Sequence, residues 1–170
     1  MSQKRKQQYI EIIEAYGQSI ERMACAHEFN SQVRPDLVQD IHLAIWQALG
    51  NFKQASALKT FVFRVIQNTI YNHIASRAKH KALDNYDVPP IDPDSCTLKS
   101  TTRLAQQEAL LKAVNRLPIN QRQVTLLTFE GLNYQEISDV LGLSSSNVGI
   151  LLHRAKRQLK TLMREHHHDG

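Results

Sequence analysis

The stretch from Asn133 to Arg157, NYQEISDVLGLSSSNVGILLHRAKR, contains the signals for two consecutive helices separated by a glycine turn. Asn133 can cap a first helix, and Glu136 three residues later completes the Asx form of a capping box. Gly142 supplies the left-handed residue on which that helix ends. Ser144 can then cap a second helix. The stretch therefore predicts a short helix, a tight turn and a longer helix.

The second of these helices has two unlike faces. Its apolar residues recur by steps of four and three, as in a stripe that faces a core: Val148, Leu152, Ala155, Leu159 and Leu162. The opposite face has short or polar groups first and cations further along: Ser145, Ser146, Asn147, Gly149, Ile150, His153, Arg154, Lys156 and Arg157. In a DNA-reading helix-turn-helix, the start of such a helix enters the major groove while cations contact phosphates. An ordinary amphipathic hairpin with a solvated basic face is the alternative interpretation of this stretch.

The composition predicts a helical, globular chain with an anionic partner. Its 170 residues fit one or two small domains, and 42% of them are apolar. Only 6% are aromatic and six are glycine, which argues against a β-rich fold. The net charge of +5 favours nucleic acid, an acidic membrane surface or an acidic protein as the partner.

The apolar runs are far too short to span a bilayer. The N-terminal residues SQKRKQQ lead into an amphipathic stretch instead of the apolar segment of a signal peptide. We therefore expect a cytoplasmic protein without membrane insertion. Cys25 and Cys96 are 71 positions apart and neither belongs to a CxxC pair, so two unpaired thiols are expected in preference to a disulfide or a zinc site.

Residues 84–103 differ from the rest of the chain. They hold three of the five prolines and four acidic against two basic residues, and they have no helical period. A loop of that length is improbable inside one compact domain, so the segment predicts a flexible acidic linker. We expect an all-α fold of two small helical domains, residues 1–83 and 104–170, with the helix-turn-helix in the second. The first half predicts three helices, of which the second begins at Pro35 and ends at Gly50 and the third runs from Phe61 to about Lys81.

Three segments, taken in order, resemble a known family. They are DLVQDIHLAIWQALGNF (residues 36–52), FVFRVIQNTIYNHIASR (residues 61–77) and LPINQRQVTLLTFEGLNYQEISDVLGLSSSNVGILLHRAKRQL (residues 117–159). Together they make the chain resemble an extracytoplasmic-function (ECF) sigma factor of the sigma-70 family. The resemblance implies an alternative sigma factor that directs bacterial RNA polymerase core to specific promoters and promotes DNA melting. Residues 1–83 would be region-2-like and residues 104–170 region-4-like.

The resemblance also implies three sets of functional residues. Polymerase core would be bound by Asp36, Gln39, Asp40, Leu43 and Trp46. Minus-ten DNA would be bound by Lys53, Lys59, Phe61, Arg64, Asn68, Asn72, His73 and Arg77, with Asn68, Asn72 and Arg77 expected on one helix face. The polar and basic face of the last helix, Ser145 to Arg157, would read the minus-thirty-five element.

Several of these residues have a plainer interpretation. Trp46 and Phe52 can equally belong to a core, and Phe61, Phe63 and Tyr71 are each more readily core residues than stacking platforms. The family more often has Lys where this chain has Gly149, and a glycine there suggests a close approach of backbone to DNA. His166, His167 and His168 are interpreted as a solvated tail.

The chain has no P-loop, nucleophile elbow or metal-binding histidine motif, so we expect a non-enzyme without cofactor or metal. Two rival functions stay open. One is a dimeric helix-turn-helix repressor or activator that acts without polymerase core, and the other is a recombinase or nuclease that uses the motif for targeting. Many relatives of the resembled family are held inactive by an anti-sigma factor, so such a partner also stays open.

Overall fold

The computed structural model describes residues 2–53, 56–84 and 102–168. These residues form seven α-helices and no β-strand. The helices belong to two compact units, with α1 to α3 in the first and α4 to α7 in the second. The prediction of an all-α chain with two helical parts is confirmed. Most of the predicted linker, residues 85–101, lies outside the described residues.

The N-terminal unit consists of α1 (Ser2–His27), α2 (Arg34–Leu49) and α3 (Leu58–Asp84). Pro35 stands in the first turn of α2, where its missing N–H group costs no hydrogen bond. Each helix buries one apolar stripe in a shared core: Ile12, Ile20 and Met23 from α1, Leu37, Ile41 and Ile45 from α2, and Val62, Phe63, Ile66 and Ile70 from α3. The three helices predicted for this half of the chain are therefore present, and one core holds them together.

A buried ionic cluster ties the end of α1 to the middle of α3. Glu28 follows α1 and is buried, and its carboxylate binds the guanidinium of Arg77 and lies 3.1 Å from Nε2 of His73. The backbone N–H of Asn30 donates a third hydrogen bond to the same carboxylate, at 3.0 Å. Burial alone would raise the pKa of Glu28, but these hydrogen bonds and the charge of Arg77 together lower the pKa below its ordinary value.

The C-terminal unit consists of α4 (Thr102–Asn115), α5 (Ile119–Phe129), α6 (Tyr134–Leu141) and α7 (Ser145–His168). Helix α7 packs against the other three. The core of the unit is aliphatic, and it is built from Val114, Leu117, Val124, Leu127, Ile137, Val140, Val148, Leu152 and Ala155. The stripe of α7 that the sequence predicts to face inward is thus buried along its first three turns.

The local signals between Asn133 and Ser144 act as predicted. The N–H of Glu136 donates to Oδ1 of Asn133 at 2.9 Å, and the N–H of Asn133 donates to Oε2 of Glu136 at 2.8 Å, so both halves of the capping box are present. Gly142 ends α6 with φ of +69°. The N–H of Asn147 donates to Oγ of Ser144 at 3.1 Å, which caps α7. These contacts fix the start of α6, its end at the turn and the start of α7.

The prediction of an unpaired thiol is wrong for Cys25, which is buried and disulfide-bonded. Cys96, the other cysteine of the chain, lies outside the described residues. Spacing along the sequence does not report distance in space, so it could not exclude a disulfide at Cys25. Among the described helices, none is long and apolar enough to cross a membrane.

The Glu28 cluster generates a stability prediction. Glu28→Gln keeps the shape of the side chain but removes its charge, so Arg77 loses its buried partner and the unit should lose about 1 to 3 kcal/mol near neutral pH. The lowered pKa means that this stabilisation exists above the unfolded-state pKa of about 4.3 and disappears as the pH falls through the folded-state value. The variant and the natural chain should therefore converge in acid.

Urea unfolding followed by Trp46 fluorescence measures this effect in the N-terminal unit alone, because Trp46 is the only tryptophan of the chain. Glu21→Gln, at an exposed position of α1, is the matched control and should leave the midpoint unchanged. Equal unfolding free energies for Glu28→Gln and the natural chain near neutral pH would contradict a stabilising role for the cluster.

Candidate polymerase and nucleic-acid interfaces

The outward face of α2 is acidic and amide-bearing, with one exposed apolar side chain. Asp36, Gln39 and Asp40 are exposed, and so is Leu43. They recur at steps of three and four, which places them on one side of a helix, while Leu37, Ile41 and Ile45 bury the other side. Four of the five residues predicted to bind polymerase thus share a solvent-facing surface.

Trp46, the fifth, lies at the edge of this face against the first turns of α1. Its ring is half-buried: the guanidinium of Arg5 lies over it, 4.4 Å from the centroid, and the ring of Tyr9 meets it edge-on at 5.6 Å. Nε of Arg5 also donates to the carbonyl oxygen of Trp46 at 2.9 Å. Oη of Tyr9 lies 2.8 Å from Nδ1 of His42, one turn before Trp46. Trp46 is therefore neither a core residue nor a free one, since α1 holds its ring in one orientation.

The outward face of α3 combines amides, a cation and an aromatic ring. Arg64, Asn68 and Asn72 are exposed at steps of four, and Tyr71 is 57% exposed beside them. The sequence favoured a core position for Tyr71, and that interpretation is wrong. Tyr71 is three residues after Asn68, and this spacing was the signal that would have placed it on the same face.

Arg77 and His73 do not lie on that face. With 3.6 residues per turn, Arg77 is rotated by about 180° from Asn68 and about 140° from Asn72. It points toward the end of α1 instead, where it and His73 bind Glu28. The expectation that Asn68, Asn72 and Arg77 share one face is wrong, because spacings of five and nine residues do not return to the same side of a helix. On its own side, the guanidinium of Arg77 binds a buried carboxylate 49 positions earlier.

The remaining minus-ten candidates lie near the start of α3. Lys53 is exposed and Lys59 is partly exposed. The rings of Phe61 and Phe52 pack against each other at 4.4 Å between centroids, so both are partly covered. Phe63 is buried against Tyr16, which confirms its interpretation as a core residue.

The outward face of α7 keeps the predicted order of polar groups first and cations later. Ser146 and Asn147 are exposed in its first turn, followed by Ile150, His153, Arg154, Lys156 and Arg157, which are all exposed. Ser145 is partly covered, and its hydroxyl lies 3.3 Å from Oε1 of Gln135 on α6. Eight of the nine predicted residues therefore remain on or beside the solvent-facing surface of one helix, and Ser145 marks its border with α6.

Gly149 lies at the flank of this face, where α6 begins. A β-carbon added to it would lie 3.5 Å from Cε2 of Tyr134, an ordinary van der Waals distance, so the protein itself does not require glycine there. Tyr134 is 48% exposed. It was not among the predicted site residues, although its position directly after the Asn133 cap places it at the start of the helix next to α7.

Within the described residues, no group of three or more His, Cys, Asp or Glu side chains could hold a metal ion. The surfaces on α2, α3 and α7 offer charges, amides and exposed rings. Such groups bind macromolecules by hydrogen bonds, stacking and ion pairing.

Two family models match the chain, one in each unit. The model for sigma-70 region 2 matches residues 12–80, and the model for sigma-70 region 4 matches residues 107–159. The first covers the second half of α1, all of α2 and most of α3, and so includes the α2 and α3 faces. The second covers the helix-turn-helix together with the helices on which it packs.

Individual relatives agree with these matches. The ECF RNA polymerase sigma factor SigE of Mycolicibacterium smegmatis is 27% identical over 161 residues, which cover 92% of this chain and 62% of the relative. RNA polymerase sigma factor YlaC of Bacillus subtilis is 24% identical over 164 residues, which cover 90% of each chain.

Two solved structures have a similar fold. The sigma factor RpoE of Bartonella quintana, in complex with the anti-sigma factor NepR, matches with a TM-score of 0.72 at 21% identity over 94% of this chain and 96% of the other. CnrH, in complex with the cytosolic domain of CnrY, matches with a TM-score of 0.66 at 21% identity over 94% of this chain and 90% of the other. Because region 2 and region 4 both match in their expected order, the chain belongs to the ECF type of the sigma-70 family of RNA polymerase sigma factors.

Proposed function

We propose that this chain acts as an alternative sigma factor in the cytoplasm, where it directs RNA polymerase core to specific promoters and favours DNA melting. The observation that carries the proposal is the chemistry of the three outward faces. Helix α2 has an acidic face suited to a protein, α3 has an amide and aromatic face suited to unpaired bases, and α7 has a polar and cationic face suited to duplex DNA. Run-off transcription with bacterial core polymerase and genomic fragments tests it.

The α2 face would bind polymerase core. Asp36 and Asp40 carry its negative charge, which suits a partner surface that bears arginine or lysine. Leu43 adds an exposed apolar contact, and Trp46 adds an aromatic edge of the kind that often anchors interfaces. Arg5 and Tyr9 restrict the Trp46 ring before binding, so little conformational entropy remains to be lost there.

The α3 face would capture unpaired minus-ten bases. Tyr71 offers an exposed ring on which a base can stack, and Asn68 and Asn72 offer amides that can hydrogen-bond the edge of an extruded base. Arg64, with Lys53 and Lys59 near the start of the helix, supplies positive charge for the strand backbone. The proposal leaves out His73 and Arg77, because both serve the Glu28 cluster.

The α7 face would hold the minus-thirty-five duplex. Its first turn, with Ser146 and Asn147, is the part of such a helix that reaches base edges, and its later cations reach phosphates. Two units of this kind would contact a promoter at two elements.

An anti-sigma factor is a proposed regulatory partner. The similar solved structure of RpoE is a complex with an anti-sigma factor, and that of CnrH is also a complex with a protein partner. Each unit of the present chain exposes apolar side chains that such a partner could cover, among them Leu43 in the first unit and Phe129 in the second.

The rival functions have distinct signatures. A helix-turn-helix repressor or activator that acts alone would purify as a stable dimer and bind palindromic DNA without polymerase. A recombinase or nuclease would cleave DNA in the presence of a divalent metal ion. Transcription that depends on both this chain and the polymerase core would exclude either as the main function.

The α2 face predicts the effect of a double substitution. Gln39→Ala with Asp40→Ala should weaken binding to polymerase core by about tenfold or more, because it removes a charge and an amide from the centre of the proposed interface. Both side chains are exposed, so helicity should not change. Competition against another sigma factor measures the affinity. Glu14→Ala with Gln18→Ala removes the same two chemical groups from exposed positions of α1 and is the matched control, and equal affinities for the two double variants would contradict the assignment.

The α3 face predicts a defect in melting. Tyr71→Ala and Asn72→Ala should each reduce the open complex more than the closed complex, and the loss of a stacked base at Tyr71 should cost roughly 1 to 3 kcal/mol. Permanganate reactivity of unpaired thymines on the promoter measures open complex. Arg77→Ala should instead lower the stability of the N-terminal unit, as Glu28→Gln does. An equal loss of closed and open complexes for Tyr71→Ala and Asn72→Ala would assign these residues to duplex docking.

The α7 face predicts two kinds of defect. Arg154→Ala should weaken binding to all DNA sequences alike and lower the slope of log affinity against log salt by about 0.9 for each phosphate that is no longer neutralised. Asn147→Ala should leave that slope nearly unchanged and relax base preference at one or two positions, where a good bidentate hydrogen bond contributes roughly 1 to 3 kcal/mol. Affinities for single-base variants of the upstream element at several salt concentrations distinguish the two effects. A change of base preference in Arg154→Ala together with a uniform loss of affinity in Asn147→Ala would mean that α7 docks in another register.

A further inference from the structure

Ile150 is an apolar side chain in the middle of the polar face of α7, and it is 51% exposed. One turn before it stand Ser146 and Asn147, and one turn after it stand His153 and Arg154, all exposed. The side chain of Ile150 therefore projects from the part of the helix that the proposed function brings to the major groove. Burial in the protein core does not explain an isoleucine at this position.

The residue before Ile150 contributes no polar side-chain group either. Gly149 has no side chain, and the direction of its missing β-carbon points to the ring of Tyr134, 3.5 Å away. Gly149 thus adds no polar group at the flank of this face, and Ile150 alone forms a short apolar segment in its middle.

An apolar segment is selective among the groups of the major groove. Base edges there present hydrogen-bond donors and acceptors, and the only methyl group among them is the 5-methyl group of thymine. Isoleucine cannot pair with a donor or acceptor, and a polar base edge covered by it would lose its hydrogen bonds to water. The thymine methyl group makes no hydrogen bonds to water that could be lost, and its burial against isoleucine is favourable.

We infer that Ile150 is a specificity-determining residue that recognises the 5-methyl group of a thymine in the upstream promoter element. The inference rests on the proposed function, since it requires α7 to enter the major groove. Burial of one methyl-sized group changes affinity by about fourfold, so removing this methyl should have an effect of that size. Ile150 then adds a preference for thymine to the hydrogen-bonding preferences of Ser146 and Asn147.

The test removes the methyl group and nothing else. Duplexes that bind the full chain are first selected from a pool with a randomised upstream segment, and each thymine of the preferred sequence is then replaced in turn by deoxyuridine. At one position the natural chain should lose about fourfold in affinity. Ile150→Ser should show no loss at that position, and its own selected sequences should no longer require thymine there. Ile150→Val, which keeps a branched apolar side chain, should retain most of the sensitivity.

Ile10→Ser applies the same change to an exposed isoleucine of the N-terminal unit and should leave the deoxyuridine effect intact. Sequence-specific binding that is insensitive to deoxyuridine at every thymine would overturn the inference and leave the proposed function standing. The same sensitivity in Ile150→Ser would also overturn it. Absence of any DNA binding by the full chain would overturn the inference together with the proposed upstream contact, and run-off transcription would then report on the sigma factor function separately.

Discussion

The rotation of each helix about its own axis is fixed by the apolar stripe that it buries, and the functional surfaces depend on this constraint. A three-helix unit can cover only one side of each helix, so the side opposite the stripe must face solvent. In α2 the burial of Leu37, Ile41 and Ile45 turns Asp36 and Asp40 outward. In α7 the burial of Val148, Leu152 and Ala155 does the same for the residues that would meet DNA. Core packing in this chain therefore determines which residues are available to bind a partner.

Docking and melting would share one small core. Helices α2 and α3 pack against each other and α1 packs against both, so the proposed polymerase face and the proposed minus-ten face are carried by a single packed unit. The Glu28 cluster joins α1 to α3 in the same unit, and the contacts of Arg5 and Tyr9 with Trp46 join α1 to α2. A displacement of α2 on binding polymerase would therefore be transmitted to α3 through close-packed side chains.

The sequence predicts what depends on neighbours in the chain and fails where partners are distant. The Asn133 and Glu136 capping box, the left-handed Gly142 and the buried stripe of α7 follow from spacings of three and four residues, and all three were predicted. Arg77 was assigned to the face of Asn68 although a spacing of nine residues places the two on opposite sides of a helix. The partner of Arg77 and His73 could not be predicted, because Glu28 stands 45 to 49 positions earlier. The contact of Arg5 with Trp46 joins residues 41 positions apart and could not be predicted either. Tyr71 is different, since helical spacing alone placed it beside Asn68, and its size was mistaken for a sign of burial.

The same contrast between near and distant partners bears on the order in which the chain folds. The turn between α6 and α7 closes through contacts three to five residues apart, such as the hydrogen bonds from the N–H groups of Gly142 and Leu143 to the carbonyl oxygen of Ser138, and these cost little loop entropy. The Glu28 cluster must wait until residue 77 has been synthesised, although its unit is the first to leave the ribosome. During translation α1 therefore lacks its ion pair with α3 for most of the time that the N-terminal unit takes to emerge, whereas the turn between α6 and α7 can close as soon as its own short segment is free.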